Sequence, residues 1–368
     1  MRVTALRVRG FRNLADEEFA FGDRITLIHG LNGAGKTNLI EAICLALTGR
    51  SPRTRNERET IAFGGPLVRA EVDVEAGGDR HHFLCGISHK EGRRQRVDGA
   101  EAVREHDQLR PPLAVFMPDR LALVKGPPAA RRGHLDRFAA ALWPGRAEER
   151  RRYGRALAQR NSLLGRIRGG AAQPASLDAW DRELAAVGVE LTATRHEAVE
   201  QLRDGFAEAA GALGLAGEAE LRYQPRTAAR DPELFATELL ERRASDLSRG
   251  YTTHGPHLDE LALSLADRSL RSYGSQGQQR IALLALLFAE RDALLAARRV
   301  PPLMLLDDVT SELDPERRGL LCERLGAGGG QALITATEPA QLPGACPREE
   351  IGMRAGRAIA SVPSAAAA

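Results

Sequence analysis

The sequence predicts an α/β protein whose head is formed by the two ends of the chain and is interrupted by a helical arm. Three observations predict this fold class. A glycine-rich loop lies between an apolar strand, residues 25–28, and an apolar helix, residues 39–47. A second apolar strand, residues 303–306, ends in two aspartates near the other end of the chain. Between them, from about residue 130, the apolar residues follow the period of helices.

Composition limits the class of protein. A chain of 368 residues is long for one hydrophobic core, so two or three compact parts are expected. The net charge of +3 is too small to indicate nucleic-acid binding by itself. The cysteines lack metal-ligand spacing, which favours buried reduced thiols over disulfides or zinc ligands. Without a leader pattern or an apolar run of about 18 residues, we expect a cytoplasmic protein with no membrane partner.

The glycine-rich loop has the spacing of a phosphate-binding loop. Its glycines let the backbone bend so that amide hydrogens and the next helix N-terminus point at phosphate oxygens. Lys36 supplies a positive charge and Thr37 a hydroxyl for Mg²⁺. The alternative, a glycine-rich turn without a ligand, is disfavoured by the complete spacing and its strand–helix context. The predicted contacts to ATP in this loop are Gly30, Leu31, Asn32, Gly33, Ala34, Gly35, Lys36, Thr37 and Asn38.

Asp307 and Asp308 follow the second apolar strand, and ligands of parallel sheets gather at the carboxyl ends of strands. Asp307 is predicted to hold Mg²⁺ through a water or through Thr37, and Asp308 to orient and polarise the attacking water. The alternative is that two aspartates merely end a strand in solvent. We therefore predict Lys36, Asp307 and Asp308 as catalytic residues, with Thr37 and Asp307 at the Mg²⁺.

A Gly/Ser-rich turn at residues 273–277 precedes an apolar-faced helix, residues 278–288. Its N-terminus is a second place that suits an anion. Because the first loop already holds the phosphates, Ser275, Gln276 and Gly277 are predicted to contact the γ-phosphate bound by another copy of the chain. ATP would then be shared within a homodimer. The alternative is that Ser275 and Gly277 only cap a core helix.

Together these motifs resemble the SMC-like branch of the ABC ATPases, and more narrowly the RecF family of bacterial recombination mediators. The matching segments are residues 6–14, 30–38, 251–257, 275–280, 307–308 and 311–314. The resemblance implies that Arg12 and Asn13 approach the nucleotide and that Asp314 lies in a loop that crosses the dimer. The fold that it implies is an α/β, ABC-type ATPase head (SMC-like) interrupted by a helical arm domain.

The function implied by the resemblance is that of a DNA-binding ATPase that dimerises with ATP. It would act in recombinational repair of gapped DNA, helping RecR- and RecO-type mediators load RecA at ss–ds junctions. The alternatives are the ATPase subunit of an ABC transporter and a condensin-type structural clamp. The transporter is disfavoured because residues 333–337 contain no histidine, and the clamp because the arm is short. No glutamine stands near residues 115–118, and Asp308 replaces the usual glutamate.

Four segments are predicted. They are an N-terminal lobe, residues 1–128, a helical arm, residues 129–245, a C-terminal lobe, residues 246–360, and a disordered tail, residues 361–368. In the N-terminal lobe, the alternating residues 68–74 and 82–87 and a turn at Asp98 and Gly99 predict antiparallel strands. The arm is predicted as a hairpin whose second helix, residues 177–206, is about 45 Å long.

Two further patterns stay open between alternatives. Eight arginines against two glutamates in residues 146–168 fit duplex phosphates or, alternatively, a solvated helix face. For His254 and His257, local capping or a contact between domains is favoured over a metal site.

Overall fold

The computed structural model describes residues 1–103, 106 and 109–359, so the tail predicted at 361–368 lies outside the described residues. The chain divides into two compact units. The first comprises Met1–Arg120, Ala212–Gly214 and the chain from Leu294 onward, and the second comprises Leu121–Gly211 and Leu215–Ala293. The segment boundaries given by the sequence stay predictions.

The strands and helices follow in chain order. The strands are β1 (Arg2–Arg9), β2 (Glu17–Ala20), β3 (Ile25–His29), β4 (Leu67–Ala76), β5 (Asp79–Ser88), β6 (Gly92–Val97), β7 (Ala100–Glu101), β8 (Leu113–Phe116), β9 (Ala219–Gln224), β10 (Glu260–Leu265), β11 (Arg268–Ser269), β12 (Leu303–Leu306), β13 (Ala332–Ala336), β14 (Glu349–Arg354) and β15 (Arg357–Ile359). The α-helices are α1 (Lys36–Thr48), α2 (Ala122–Lys125), α3 (Pro128–Leu142), α4 (Glu149–Arg168), α5 (Leu177–Ala212), α6 (Pro232–Glu241), α7 (Arg243–Arg249), α8 (Leu270–Tyr273), α9 (Gln276–Arg298) and α10 (Pro315–Ala327).

One sheet of the first unit has the strand order β15-β14-β3-β13-β12-β8 and is parallel except at β15. Strands β12 and β13 are buried along their whole length, as expected for continuous apolar runs in a parallel sheet. Strand β13 lies between β3 and β12. The loop after β3 and the aspartates after β12 therefore end at the same edge of the sheet, although they lie far apart in sequence.

The other sheet of the first unit is antiparallel, with the order β2-β1-β4-β5-β6-β7. Its strands alternate, as predicted for β4 and β5. Val68, Val72 and Phe83 point into the core that the sheet shares with α1, and mostly polar residues occupy the opposite face. Asp98 and Gly99, both with positive φ, form the predicted turn, which joins β6 to β7.

The second unit contains the helical hairpin that the sequence predicts, formed by α4 and α5, and a small sheet of the order β11-β10-β9. Helix α5 has 36 residues, which makes it about 54 Å long. The predicted end at residue 206 was therefore wrong. The helix continues to Ala212 because Phe206, Ala209 and Ala210 keep a buried face in register beyond that point.

All four cysteines, Cys44, Cys85, Cys322 and Cys346, are buried free thiols, as predicted. Burial raises the pKa of the Cys44 thiol to about 12. In residues 1–103, 106 and 109–359, no helix combines the length and the apolar character that crossing a bilayer requires.

Candidate active site

The phosphate-binding loop has the backbone that its glycines predict. Gly30, Gly33 and Gly35 have φ values of 153°, 81° and 104°. A Cβ at Gly30 would lie 2.2 Å from the carbonyl oxygen of Met353, so this position accepts no side chain. Helix α1 begins at Lys36 without a side-chain cap, which leaves its first amide hydrogens for an anion.

Lys36 folds back over this loop. Its Nζ donates to the carbonyl oxygens of Gly30, at 2.6 Å, and Leu31, at 3.1 Å. Burial lowers the pKa of the Lys36 ammonium, and the nearby Asp308 and Asp307 oppose that shift. The loop thus holds a cation where the phosphates of a nucleotide would lie.

Asp307 meets the loop side chain with which it was predicted to act. The hydroxyl of Thr37 lies 2.9 Å from each carboxylate oxygen of Asp307. Burial raises the pKa of Asp307, although hydrogen bonds from Thr335 and Thr37 work in the opposite direction. A hydroxyl and a carboxylate at this separation form a set of hard oxygen donors of the kind that Mg²⁺ prefers.

Thr335 joins the two aspartates, and sequence reasoning missed it. This fully buried residue of β13 donates through Oγ1 to Asp307 Oδ1, at 2.7 Å, and accepts from the amide of Asp308, at 2.8 Å. Only the pairing of β13 with β12 brings it there. The one available signal was its place in an apolar strand, where a hydroxyl needs a partner.

Asp308 has a left-handed backbone, with φ 51°. Its Oδ1 is buried and finds no hydrogen-bond partner among the residues that the structure describes. Buried carboxylate oxygens are rarely left without a donor. This oxygen is therefore suited to a ligand or a water in the cavity.

A cavity of about 300 Å³ collects these groups. Its lining comprises Asn13, Asn32, Gly33, Gly35, Lys36, Thr37, Asn38, Arg53, Asp307, Asp308 and Thr335. The cavity is mostly polar, and three of its residues, Asn13, Arg53 and Thr335, come from outside the loop and its aspartates. The side-chain amide of Asn13 donates to the carbonyl oxygen of Gly33, at 2.8 Å.

Arg12 and Arg53 share the carboxylate of Glu41, a fully buried residue of α1. Arg12 donates to both oxygens of Glu41, at 2.6 and 2.8 Å, and Arg53 donates to one, at 3.1 Å. Arg53 also donates to Asn38 Oδ1, at 2.9 Å. Arg53 therefore holds a guanidinium on the cavity wall, and no sequence motif marked it.

The second predicted anion site is in the second unit. Ser275 Oγ accepts from the amide of Gln278, at 3.2 Å, and Gln278 Oε1 accepts from the amide of Ser275, at 2.8 Å. This reciprocal pair is a capping box at the start of α9. Ser275 and Gln276 are exposed and Gly277 is half-buried.

Asp314 is in the first unit and caps α10, accepting from the amide of Arg317 at 2.9 Å. Its side chain is half exposed and also pairs with the Arg317 guanidinium, at 3.1 Å. In the structure of one chain, Asp314 thus has a capping role, and its predicted place across a dimer stays a prediction.

The two histidines of the 254–257 turn each have a protein partner. His254 Nε2 lies 2.6 Å from Glu238, and His257 Nδ1 lies 2.7 Å from the hydroxyl of Tyr153. Burial lowers the pKa of His257. Arg195 also donates to the carbonyl oxygen of Pro256, at 2.6 Å, so this turn is held from several sides by the helical arm.

The arginine strip of residues 146–168 is less available than its sequence indicates. Arg160 is fully buried and pairs with Asp181 and Asp246, each at 2.6 Å. Four others also have carboxylate partners within 3.2 Å, namely Arg146, Arg150, Arg151 and Arg152. Arg160 therefore fits neither alternative for this strip, because two buried aspartates from distant helices neutralise it.

Comparison with known proteins identifies the family. An AAA domain model matches residues 5–109. The DNA replication and repair protein RecF of Deinococcus radiodurans is 39% identical over 346 residues, which are 94% of this chain and 92% of that protein. This chain belongs to the RecF family. RecF of Anaeromyxobacter sp. strain Fw109-5 is 38% identical over 92% of this chain and 93% of its own length.

Solved structures agree with the RecF assignment. A structure of the recombination mediator protein RecF-ATP in the RecFOR pathway aligns with a TM-score of 0.85 and 26% identity, over 97% of this chain and 96% of that chain. An SMC head bound to the C-winged helix domain of ScpA aligns with a TM-score of 0.59 and 16% identity, which shows the fold alone. The predicted α/β, SMC-like head fold and the predicted family are confirmed. This RecF-family chain is thus a DNA replication and repair protein.

Proposed function

We propose that this protein hydrolyses ATP slowly, is stimulated by DNA, and dimerises when ATP is bound between two copies. The observation that carries the proposal is the cavity of the first unit. There Lys36, Thr37 and Asp307 meet, and the buried Asp308 Oδ1 points at no protein donor among the described residues. Cation, hydroxyl and two carboxylates at one edge of a parallel sheet are the groups that phosphoryl transfer to water requires.

The residues have separate tasks in this proposal. Lys36 and the N-terminus of α1 bind the phosphates, while Asn13 fixes the loop through its bond to Gly33. Thr37 and Asp307 hold Mg²⁺, which when bound neutralises charge that develops on the β- and γ-phosphate oxygens. Asp308 orients and polarises the attacking water with its free carboxylate oxygen.

The dimer rests on a different argument. Residues 30–38 already provide the phosphates of one ATP with a loop and a helix N-terminus. The exposed start of α9, with Ser275, Gln276 and Gly277, is then best used by an ATP on a second copy. The capping box is compatible with this role. If the Ser275 hydroxyl turns toward a phosphate, it gives up its bond with the amide of Gln278, but Gln278 Oε1 still accepts from the amide of Ser275.

The relatives support a proposal for the biological role. One of them is named as a recombination mediator in the RecFOR pathway. We propose that this chain binds duplex DNA or ss–ds junctions at gaps in the cytoplasm, and that RecR- and RecO-type mediators and RecA are its partners. Hydrolysis removes the γ-phosphate that joins the two copies, so ATP limits the time spent on DNA.

The test is the mass of the protein and its ATP turnover in the same samples. With ATP and Mg²⁺ the wild type should shift from monomer to dimer by analytical ultracentrifugation, and gapped duplex DNA should raise phosphate release. The Lys36→Met variant should neither dimerise nor release phosphate, because the positive charge and its reach to the phosphates are lost. A wild type that stays monomeric with ATP, or a Lys36→Met variant with unchanged nucleotide affinity, would refute the proposal.

A further inference from the structure

Three arginines form a row across the outer face of the antiparallel sheet. Arg9 of β1 pairs in register with Arg69 of β4, Arg69 pairs with Gly86 of β5, and Gly86 pairs with Arg94 of β6. Residues directly opposite one another in a sheet share a face, so the three side chains project on one side. Their exposed fractions are 76%, 51% and 63%, respectively.

This arrangement opposes the stability of the sheet. Like charges directly opposite each other on neighbouring strands repel, and Arg9 and Arg69 are such a pair. The carboxylates nearby compensate only in part. Asp16 lies 3.9 Å from Arg9, Glu71 lies 2.5 Å from Arg69, and Glu91 lies 3.6 Å from Arg94. Exposed pairs of this kind contribute little and are screened by salt.

Gly86 is a second, independent observation. It sits in the interior of a strand, between the buried residues Cys85 and Ile87, where a glycine weakens the strand. Space does not require it, because a Cβ there would meet only the carbonyl oxygen of Val68, at 3.8 Å. A glycine of this type is typical of a place where another backbone comes close.

We propose that this row is the surface on which the protein holds the sugar-phosphate backbone of duplex DNA. The row crosses three strand spacings of about 4.8 Å, or about 14 Å, which is about four base pairs at 3.4 Å each. Gly86 leaves a gap between Arg69 and Arg94 into which the backbone fits. Arg96, two residues along β6 and on the same face, extends the surface toward β7, where it pairs in register with Glu101.

The arm is the other candidate for the contact to DNA, and part of its arginine strip is occupied. Arg160 is buried, and Arg146 and Arg152 are bound to carboxylates of α5 at 2.6 and 2.8 Å. On α4, Arg155, Arg166 and Arg168 are exposed arginines without an ion pair among the described residues, although Arg168 donates to the carbonyl oxygen of Arg249 at 3.3 Å. What distinguishes the sheet face is its geometry, because its three arginines lie in register across neighbouring strands with Gly86 between two of them.

This inference rests on the proposed function, because it locates the DNA contact that the function requires. The test compares two triple variants that each remove three positive charges. Arg9→Gln/Arg69→Gln/Arg94→Gln changes the sheet face, and Arg151→Gln/Arg155→Gln/Arg166→Gln changes the arm by the same net charge. Binding of a fluorescent 30-base-pair duplex is measured by anisotropy with ATP and Mg²⁺ over a series of salt concentrations.

Each phosphate contact contributes about 0.9 to the slope of log affinity against log salt, so the sheet variant should lose about 2 to 3 units of slope. The arm variant should keep the wild-type slope within about one unit. ATP hydrolysis without DNA should be unchanged in both, which shows that they fold. A wild type that binds no duplex would remove the proposed function and the inference together. Duplex binding that depends on the arm arginines would refute only the inference.

A change without charge tests the gap. Gly86→Leu keeps every arginine but fills the space between Arg69 and Arg94, and it should weaken duplex binding at least ten-fold while basal hydrolysis stays the same. Gly154→Leu is the matched control, because its position on α4 is exposed and has no atom within 4 Å of an added Cβ. Equal affinities of the two variants would show that no backbone lies against Gly86.

Discussion

Replacing Thr335 by valine tests whether the two aspartates depend on a neighbouring strand. Valine keeps the shape and the branched Cβ that suit β13, but removes the hydroxyl. Asp307 then loses a donor at 2.7 Å, and the amide of Asp308 loses its acceptor at 2.8 Å. The variant leaves Lys36 and Thr37 in place, so nucleotide binding by the loop should persist.

The size of the effect of Thr335→Val on stability depends on how deeply its hydrogen bonds are buried. Thr335 is fully buried, and Asp307 is 3% exposed, so water does not easily replace the hydroxyl. A buried amide left without an acceptor costs about 1–3 kcal/mol, and a hydrogen bond to a charged group contributes about 1.5–3 kcal/mol. Thr335→Val should therefore lower the free energy of unfolding by about 3–5 kcal/mol. Displacement of Asp308 by about 1 Å should lower turnover about 100-fold.

The assay combines urea unfolding with phosphate release and a Mg²⁺ titration. Thr335→Ser is the control, since it restores the hydroxyl and should recover most of the turnover at a cost of about 1 kcal/mol for the lost methyl. The reasoning is refuted if Thr335→Val unfolds and hydrolyses as the wild type does. It is also refuted if serine fails to rescue turnover in a folded protein.

Four other changes test other parts of the molecule. Asp308→Asn should lower phosphate release about 100-fold or more while ATP-induced dimers persist in ultracentrifugation, and normal turnover would assign the water to another residue. Ser275→Arg should bind ATP but not dimerise, and mixing it with Lys36→Met should restore one working site. Turnover independent of protein concentration would contradict this. Arg160→Met should cost about 3–5 kcal/mol in urea unfolding because the buried Asp246 loses its arginine and the buried Asp181 keeps only Arg243, and a smaller loss would indicate that these carboxylates are solvated. Because burial lowers the pKa of His257, the unfolded chain binds more protons below pH 6.5, so stability should fall as the pH drops from 6.5 and less so in His257→Gln. Identical pH profiles of Tm would show that this ring does not titrate.

The sequence predicts what local geometry determines. Lys36 and Thr37 could be assigned because a fixed spacing between a strand and a helix has few structural solutions. The antiparallel sheet could be assigned from alternation of apolar residues alone. Thr335 could not be assigned to the site, because its contact to Asp307 depends on which strands become neighbours. The burial of Arg160 was also hidden, since its partners lie 21 and 86 residues away and a run of arginines is usually solvated.

The ion pairs of Glu41 next to the cavity could not be predicted from the sequence either. Glu41 is a polar residue in an otherwise apolar helix, and nothing in the sequence around it indicates that two arginines form ion pairs with it. Arg53 follows the helix in a segment without a recognisable motif. Its position on the cavity wall became visible only when the segment after α1 was placed in space.

The pairing of β3 with β13 and β14 has a consequence for the synthesis of the protein. The antiparallel sheet lies within the first 101 residues and can form early. Strand β3 leaves the ribosome with it, but its partners follow about 300 residues later, a delay of about 15–60 s at 5–20 residues per second. During that time an apolar strand has open edges, which makes it prone to aggregate. Nascent chains should therefore need protection most before β13 is made.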